Sequence, residues 1–129
     1  MKEVLLERAL AVLANAYAPY SNFCVAAALE CADGSIFTGT NAENSSFGAT
    51  LCAERSAFAT ALSEGKRRFV RILIIGGKGG EIRDFCPPCG ICRQFMSEFC
   101  DKQFEIVLYD GKQFQTYLLE QLLPKGFSL

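Results

Sequence analysis

At 129 residues, half of them apolar and 21% charged, the chain is the length of one domain that can bury its own core without staples. A formal net charge of −1 argues against a general polynucleotide binder, which normally carries a basic stripe. The start lacks the unbroken apolar core of a signal peptide and no run is long enough to cross a bilayer, so an odd count of closely spaced cysteines reads as metal binding or catalysis in a cytoplasmic chain rather than as disulfides, with Cys24, Cys31 and Cys100 as small packing residues.

Histidine is absent, so a transition-metal site must be built from thiolates and carboxylates, and no imidazole can serve as a base. In chain order, apolar residues recur at helical spacing from Met1 to Tyr17, and Ala18-Pro19-Tyr20-Ser21 ends that helix. Phe23 to Cys31 and Ser35 to Thr38 read as two strands joined at Asp33-Gly34, a pair suited to a hairpin turn. Asn41 to Leu51 is polar and glycine-bearing, hence a loop. Cys52 to Glu64 is alanine-rich and closed by Gly65, hence a helix that ends near Lys66-Arg67-Arg68, a basic run expected to be a solvated turn. Phe69 to Ile75 is nearly continuous in apolar residues and predicts a central strand covered on both faces, broken by Lys78-Gly79-Gly80. Pro87-Pro88 introduces a helix from Cys89 to Phe99, followed by a strand from Phe104 to Tyr109 and a short strand near Phe114. An amphipathic helix around Tyr117 to Leu123 stops at Pro124. Alternating strands and helices after a hairpin predict an α/β fold with a mixed sheet between helical layers and no internal repeat or linker, so residues 1–129 form one domain.

The chemistry concentrates at two helix starts. Cys52-Ala53-Glu54 opens one and Pro88-Cys89-Gly90-Ile91-Cys92 opens the other, with Cys89 and Cys92 on a shared face. Helix N-termini favour thiolates. Three thiolates can occupy three corners of a zinc tetrahedron and leave the fourth for water. Glu54, two residues past a ligand, points away from the metal shell yet stays near it, as a proton shuttle should. Arg55 follows Cys52 by three residues and can offset excess thiolate charge by donating to the sulfurs.

Taken together, these motifs are identified with the small zinc-dependent cytidine deaminases, and the resemblance runs nearly end to end. Ala18-Pro19-Tyr20-Ser21-Asn22-Phe23 resembles that family's entry into its first strand, and Asn41-Ala42-Glu43-Asn44 its ribose-binding loop. Cys52-Ala53-Glu54-Arg55 and Pro88-Cys89-Gly90-Ile91-Cys92-Arg93-Gln94 are similar to its two zinc motifs, and Leu122-Leu123-Pro124 with Phe127 to its closing tail. The resemblance implies a three-layer α-β-α sandwich on a five-stranded sheet. It implies one zinc ion per subunit on Cys52, Cys89 and Cys92, and hydrolysis of cytidine and 2′-deoxycytidine to the uridines and ammonia with Glu54 moving the protons. It further implies a homotetramer whose sites are shared between subunits, with no nucleic-acid or membrane partner. Phe23 would then stack near the pyrimidine, Asn41 and Glu43 would hold the ribose, the Ala53 backbone would grip the base, and Phe47 and Phe127 would reach a neighbour's pocket.

The sequence also departs from that pattern. Phe47 stands where relatives often carry Tyr, and Cys24 and Ala26 replace a usual Pro and Gly. Two alternatives remain open at this level. Cys86, three residues before Cys89, could complete a closed structural zinc site, and the amino-bearing substrate could be a nucleoside antibiotic or a cytosine within a polynucleotide.

Overall fold

A computed structural model describes residues 1–129. Helix α1 (Lys2–Leu13) precedes strands β1 (Phe23–Cys31) and β2 (Ile36–Thr40), then come helix α2 (Ala53–Ser63), strand β3 (Phe69–Lys78), helix α3 (Gly90–Phe99), strands β4 (Glu105–Tyr109) and β5 (Phe114–Leu118), and the short helix α4 (Leu119–Leu122). The five strands lie in the order β2-β1-β3-β4-β5. Only β3 and β4 run parallel, so the sheet is mixed as expected.

Strand periodicity sorts the core into two faces. In β1, Ala26 and Ala28 turn toward α1, where they meet Leu5, Ala9, Leu13, Leu73, Ile75 and Val107. Ala27 and Leu29 turn the other way, onto Ala57 and Phe58 of α2, Met96 of α3, and Ile72, Ile74 and Ile106 of the sheet. Helices therefore cover both faces, giving the three-layer α-β-α arrangement. The run of small residues in β1 keeps both helical layers close to the sheet. Gly39 of β2 serves the same end: a Cβ there would lie 2.5 Å from the Ala53 carbonyl and 2.5 Å from the Ala57 amide nitrogen. Only a glycine lets β2 pack directly on the start of α2, the segment that carries Cys52 and Glu54.

Four boundaries differ from the sequence expectation, each because long-range pairing overrides local pattern. Helix α1 stops at Leu13 rather than Tyr17. The Tyr17 amide donates to the Asn41 carbonyl at 2.9 Å and the Glu43 amide donates to the Tyr17 carbonyl at 2.9 Å, so Tyr17 is claimed by the loop opposite. The Asn41 to Leu51 segment is correspondingly ordered, with Ala42 bridged to both Tyr17 and Leu51 and a 3-10 turn at Phe47–Ala49. Strand β3 extends past Ile75 because Gly76, Gly77 and Lys78 pair with Val25, Cys24 and Phe23. Tyr117 and Leu118, expected in the last helix, instead pair with Ile106 and Glu105, which leaves α4 a single turn. The second strand, expected over Ser35 to Thr38, shifts to Ile36–Thr40 because its residues register against Ala26 to Glu30 of β1.

Candidate metal and catalytic site

Cys52 and Cys89 are the N-cap residues of α2 and α3, and Cys92 lies in the first turn of α3. Both caps are extended just before the helix turns begin, and the fold brings their side chains together with that of Cys92. The three Sγ atoms all lie within 4.8 Å of one another, and Cys86 is not part of the group. Cys52 and Cys89 Sγ are 3.8 Å apart. Two thiolates on a tetrahedral zinc with bonds of about 2.3 Å stand roughly 3.8 Å apart, so the pair is already at ligand spacing. The donor set and its geometry fit zinc. Three protein donors also leave one tetrahedral corner for another group, unlike a closed structural site.

The electrostatics favour thiolate at this point. Cys52 is held below the ordinary thiol range, chiefly by a hydrogen bond from the Cys92 thiol and then by Arg55 and Cys89, against the cost of burial. Cys92 is pushed up in turn, because its proton is the one shared with Cys52. The Arg55 Nη2 donates to Cys52 Sγ at 3.4 Å and to the Thr50 carbonyl at 3.2 Å. Its Nε is buried without any partner. An unpaired buried guanidinium nitrogen is costly, and here it sits beside a cluster of sulfurs built to carry negative charge.

Glu54 follows Cys52 by two residues and is buried, only 4% exposed. Burial pushes its carboxyl up to about 7, with the negative charge of Cys52 adding to the effect. An acid that is half protonated near neutrality, buried against a metal-binding cluster, has the properties of a group that both takes and returns protons. Ala53, between them, is fully buried under β2.

Around this centre the remaining candidate residues take separate positions. Phe23 begins β1 and is 40% exposed, lining a cleft of about 750 Å³ with Gly76 to Gly79 and Phe85. The Asn41 side chain is engaged by the sheet: Oδ1 accepts from the Val25 amide at 2.9 Å and Nδ2 donates to the Phe23 carbonyl at 2.8 Å. Glu43 accepts from the Tyr20 amide at 2.9 Å, the Ser21 amide at 3.1 Å and the Ser21 hydroxyl, which holds its carboxyl below the usual range. It lines a second cleft of about 300 Å³ with Tyr20, Ser21, Asn44, Phe47 and Thr50. The structure thus gives Asn41 and Glu43 a shared scaffolding role, fixing the strand entry and its preceding loop. Each retains hydrogen-bonding capacity, since a carboxylate has four acceptor positions and an amide two donors. Phe47 is 77% exposed with Tyr20 edge-on at 6.1 Å, and Phe127 is 67% exposed near the C-terminus. Phe47 lines the cleft with Glu43 and Thr50, and Phe127 lies beside Gln94 of α3 through its carbonyl.

Sequence reasoning missed two contributors. The Thr50 carbonyl orients Arg55, and a backbone acceptor leaves no mark in residue identity. Gly39 seats α2, and its signal, a glycine inside an otherwise strand-like run, was available.

Residues 1–108 match the profile of a protein family described as the cytidine and deoxycytidylate deaminase zinc-binding region. The chain belongs to that family. It is 39% identical over 128 residues to a cytidine deaminase of Halalkalibacterium halodurans, covering 98% of this chain and 94% of the relative. It is 41% identical over 115 residues to one from Sporosarcina psychrophila, covering 88% and 82%. Among solved structures, the crystal structure of cytidine deaminase from Burkholderia pseudomallei superposes with a TM-score of 0.90 at 41% identity, covering 98% of this chain and 99% of that one. The mixed five-stranded sheet with flanking helices is therefore the fold of cytidine deaminases, and the cysteine cluster is the possible zinc site of a zinc-binding family.

Proposed function

We propose that residues 1–129 act as one catalytic domain that hydrolyses the 4-amino group of cytidine and 2′-deoxycytidine, releasing uridine or 2′-deoxyuridine and ammonia. The observation that carries this reading is the buried Glu54 beside three clustered thiols at two helix N-termini. Cys52, Cys89 and Cys92 would hold zinc, which supplies Lewis acidity that makes water a competent nucleophile at neutral pH. Glu54 accepts the proton of the attacking water and delivers it to N3 of the pyrimidine as C4 becomes tetrahedral; it then takes the proton of the new C4 hydroxyl and passes it to the amine, which departs as ammonia while the C4 carbonyl forms. Proton transfers at one carboxyl suit a group balanced near neutrality. Arg55 offsets the negative charge of the sulfurs, through Nη2 to Cys52 and through its otherwise unpaired Nε. Phe23 flanks the base, the Ala53 backbone holds its edge, and Glu43 with Asn41 receives the sugar.

In this reading the working enzyme is a homotetramer in the cytoplasm, used in pyrimidine salvage. Phe47 and Phe127, exposed in the single chain, complete a neighbour's site. The near-neutral net charge supports a free nucleoside over a polynucleotide.

The deciding experiment follows the ultraviolet absorbance of cytidine with zinc-loaded protein, wild type beside Glu54→Gln. Wild-type turnover to uridine is expected, with the variant retaining zinc but losing about 10²–10⁴ in rate. Full zinc content without turnover of cytidine or deoxycytidine would overturn the substrate, and near-normal turnover by the variant would overturn Glu54 as the shuttle.

A further inference from the structure

Arg93 sits one residue beyond Cys92 in α3, half-buried, and its two donor groups reach in opposite directions. Nε donates to the Pro88 carbonyl at 2.8 Å. Nη1 donates to the Leu122 carbonyl, also at 2.8 Å. No backbone amide serves either acceptor, since the first helical bond of α3 runs from the Arg93 amide to the Cys89 carbonyl and the last of α4 from the Leu123 amide to the Leu119 carbonyl. Pro88 is buried, and a buried carbonyl left without a donor carries a desolvation cost. The guanidinium is thus the partner that Pro88 and Leu122 share.

Position gives this fork its meaning. The Pro88 carbonyl belongs to the peptide plane that leads directly into Cys89, so holding that oxygen fixes the plane about which the Cys89 side chain turns. Leu122 closes α4, the last element before the tail, and the tail is held again one residue along from Arg93, where Gln94 Nε2 donates to the Phe127 carbonyl at 3.2 Å. One planar side chain therefore spans the entry of a sulfur ligand and the end of the fold, a geometry suited to guanidinium and beyond the reach of a lysine ammonium.

We propose that Arg93 is a positioning residue for the metal centre: by holding the Pro88 carbonyl it sets the Cys89 sulfur, and by holding the Leu122 carbonyl it locks the closing segment onto that ligand loop. The proposal rests on the reading of Cys89 as a zinc ligand. Its distinguishing consequence is a change in ligand geometry and metal retention rather than in stability alone.

The test compares wild type with Arg93→Met, Arg93→Lys and Arg67→Met, by rate of zinc release to a chelator, by the absorption spectrum of the cobalt-loaded protein and by thermal midpoint. Arg67 is the control, because it also donates to two carbonyls, those of Leu62 and Lys66, but at the far end of α2. Residues that orient ligands through hydrogen bonds typically contribute 10–100-fold to metal affinity. Accordingly Arg93→Met should release zinc about tenfold or more faster, with shifted cobalt ligand-field bands. Arg93→Lys, keeping one donor, should fall between, and Arg67→Met should match wild type in both readouts whatever its melting temperature. Zinc release and a cobalt spectrum in Arg93→Met equal to wild type would overturn the proposal, as would equal effects in Arg67→Met. Should Arg93→Met fail to fold, the Arg93→Lys spectrum and release rate decide in the same way. A wild type that takes up no zinc at all would instead count against the metal reading itself.

Discussion

Glu54 is the residue whose chemistry and stability pull in opposite directions. In the metal-free chain burial moves its carboxyl from an ordinary 4.5 to about 7. Between those values the native state binds a proton that the unfolded state has lost, so stability falls as pH rises through that window and levels off above it. Metal-free Glu54→Gln should therefore match wild type in urea midpoint near about pH 4 and exceed it near about pH 8. A difference that does not vary with pH would refute the role given to burial. The clustering of Cys52, Cys89 and Cys92, with Glu54 beside them, was legible in the sequence, because these residues sit at two helix starts whose positions the pattern gave. Asn41 and Glu43 were legible as a polar pair but not as scaffold. Their contacts to Val25, Phe23, Tyr20 and Ser21 cross 16 to 23 positions of chain, which no local pattern reports.

Among the elements, the start of α2 is seated by contact rather than by a cap. Gly39 brings β2 against the Ala53 carbonyl and the Ala57 amide, both backbone atoms that cannot rotate aside. Gly39→Ala should overpack this layer, cost about 1–3 kcal/mol, and lower the thermal midpoint. Because the same displacement moves Cys52, zinc uptake should weaken in parallel, whereas a variant with unchanged melting and metal content would show that the layer can yield. The element types were legible where a local signal was strong: helical spacing in α1, a nearly continuous apolar run in β3 and the Pro87-Pro88 start of α3. Their ends were not. Tyr17, Gly76 to Lys78, and Tyr117 with Leu118 follow partners distant in sequence, and pairing energy outweighs the propensity of a few residues at an element's edge.

For the whole molecule, large aromatics remain in water at Phe47, 77% exposed, and Phe127, 67% exposed, while the core on both faces of the sheet is closed. A contiguous exposed apolar patch can mark a contact surface, and Phe47 packs edge-on against Tyr20, itself 55% exposed. The proposed assembly of four copies covers them, so light scattering of zinc-loaded protein should give four times the mass of one chain. Phe47→Asp should shift the distribution toward smaller species and reduce turnover together. A wild type that turns over cytidine at the mass of a single chain would rule out sites shared between copies. The three-layer arrangement was legible from the order of elements, and the strand order was not, since β3 lying between β1 and β4 is a choice among topologies that the pattern permits equally.

Both ligand-bearing helices begin without a side-chain hydrogen bond at the cap, because the position that Ser, Thr, Asp or Asn would occupy is held by cysteine. A conventional cap is worth about 1 kcal/mol to a helix, and a thiol is a weak substitute. The first turns of α2 and α3 thus rely on the packing of β2, on Arg93 and on whatever draws the sulfurs together, rather than on caps of their own. Supply of the ion then acts as a thermodynamic variable of the fold as well as of the reaction. Withdrawing zinc should therefore loosen these two helix starts before the sheet, and limited proteolysis of the metal-free protein should cut there first.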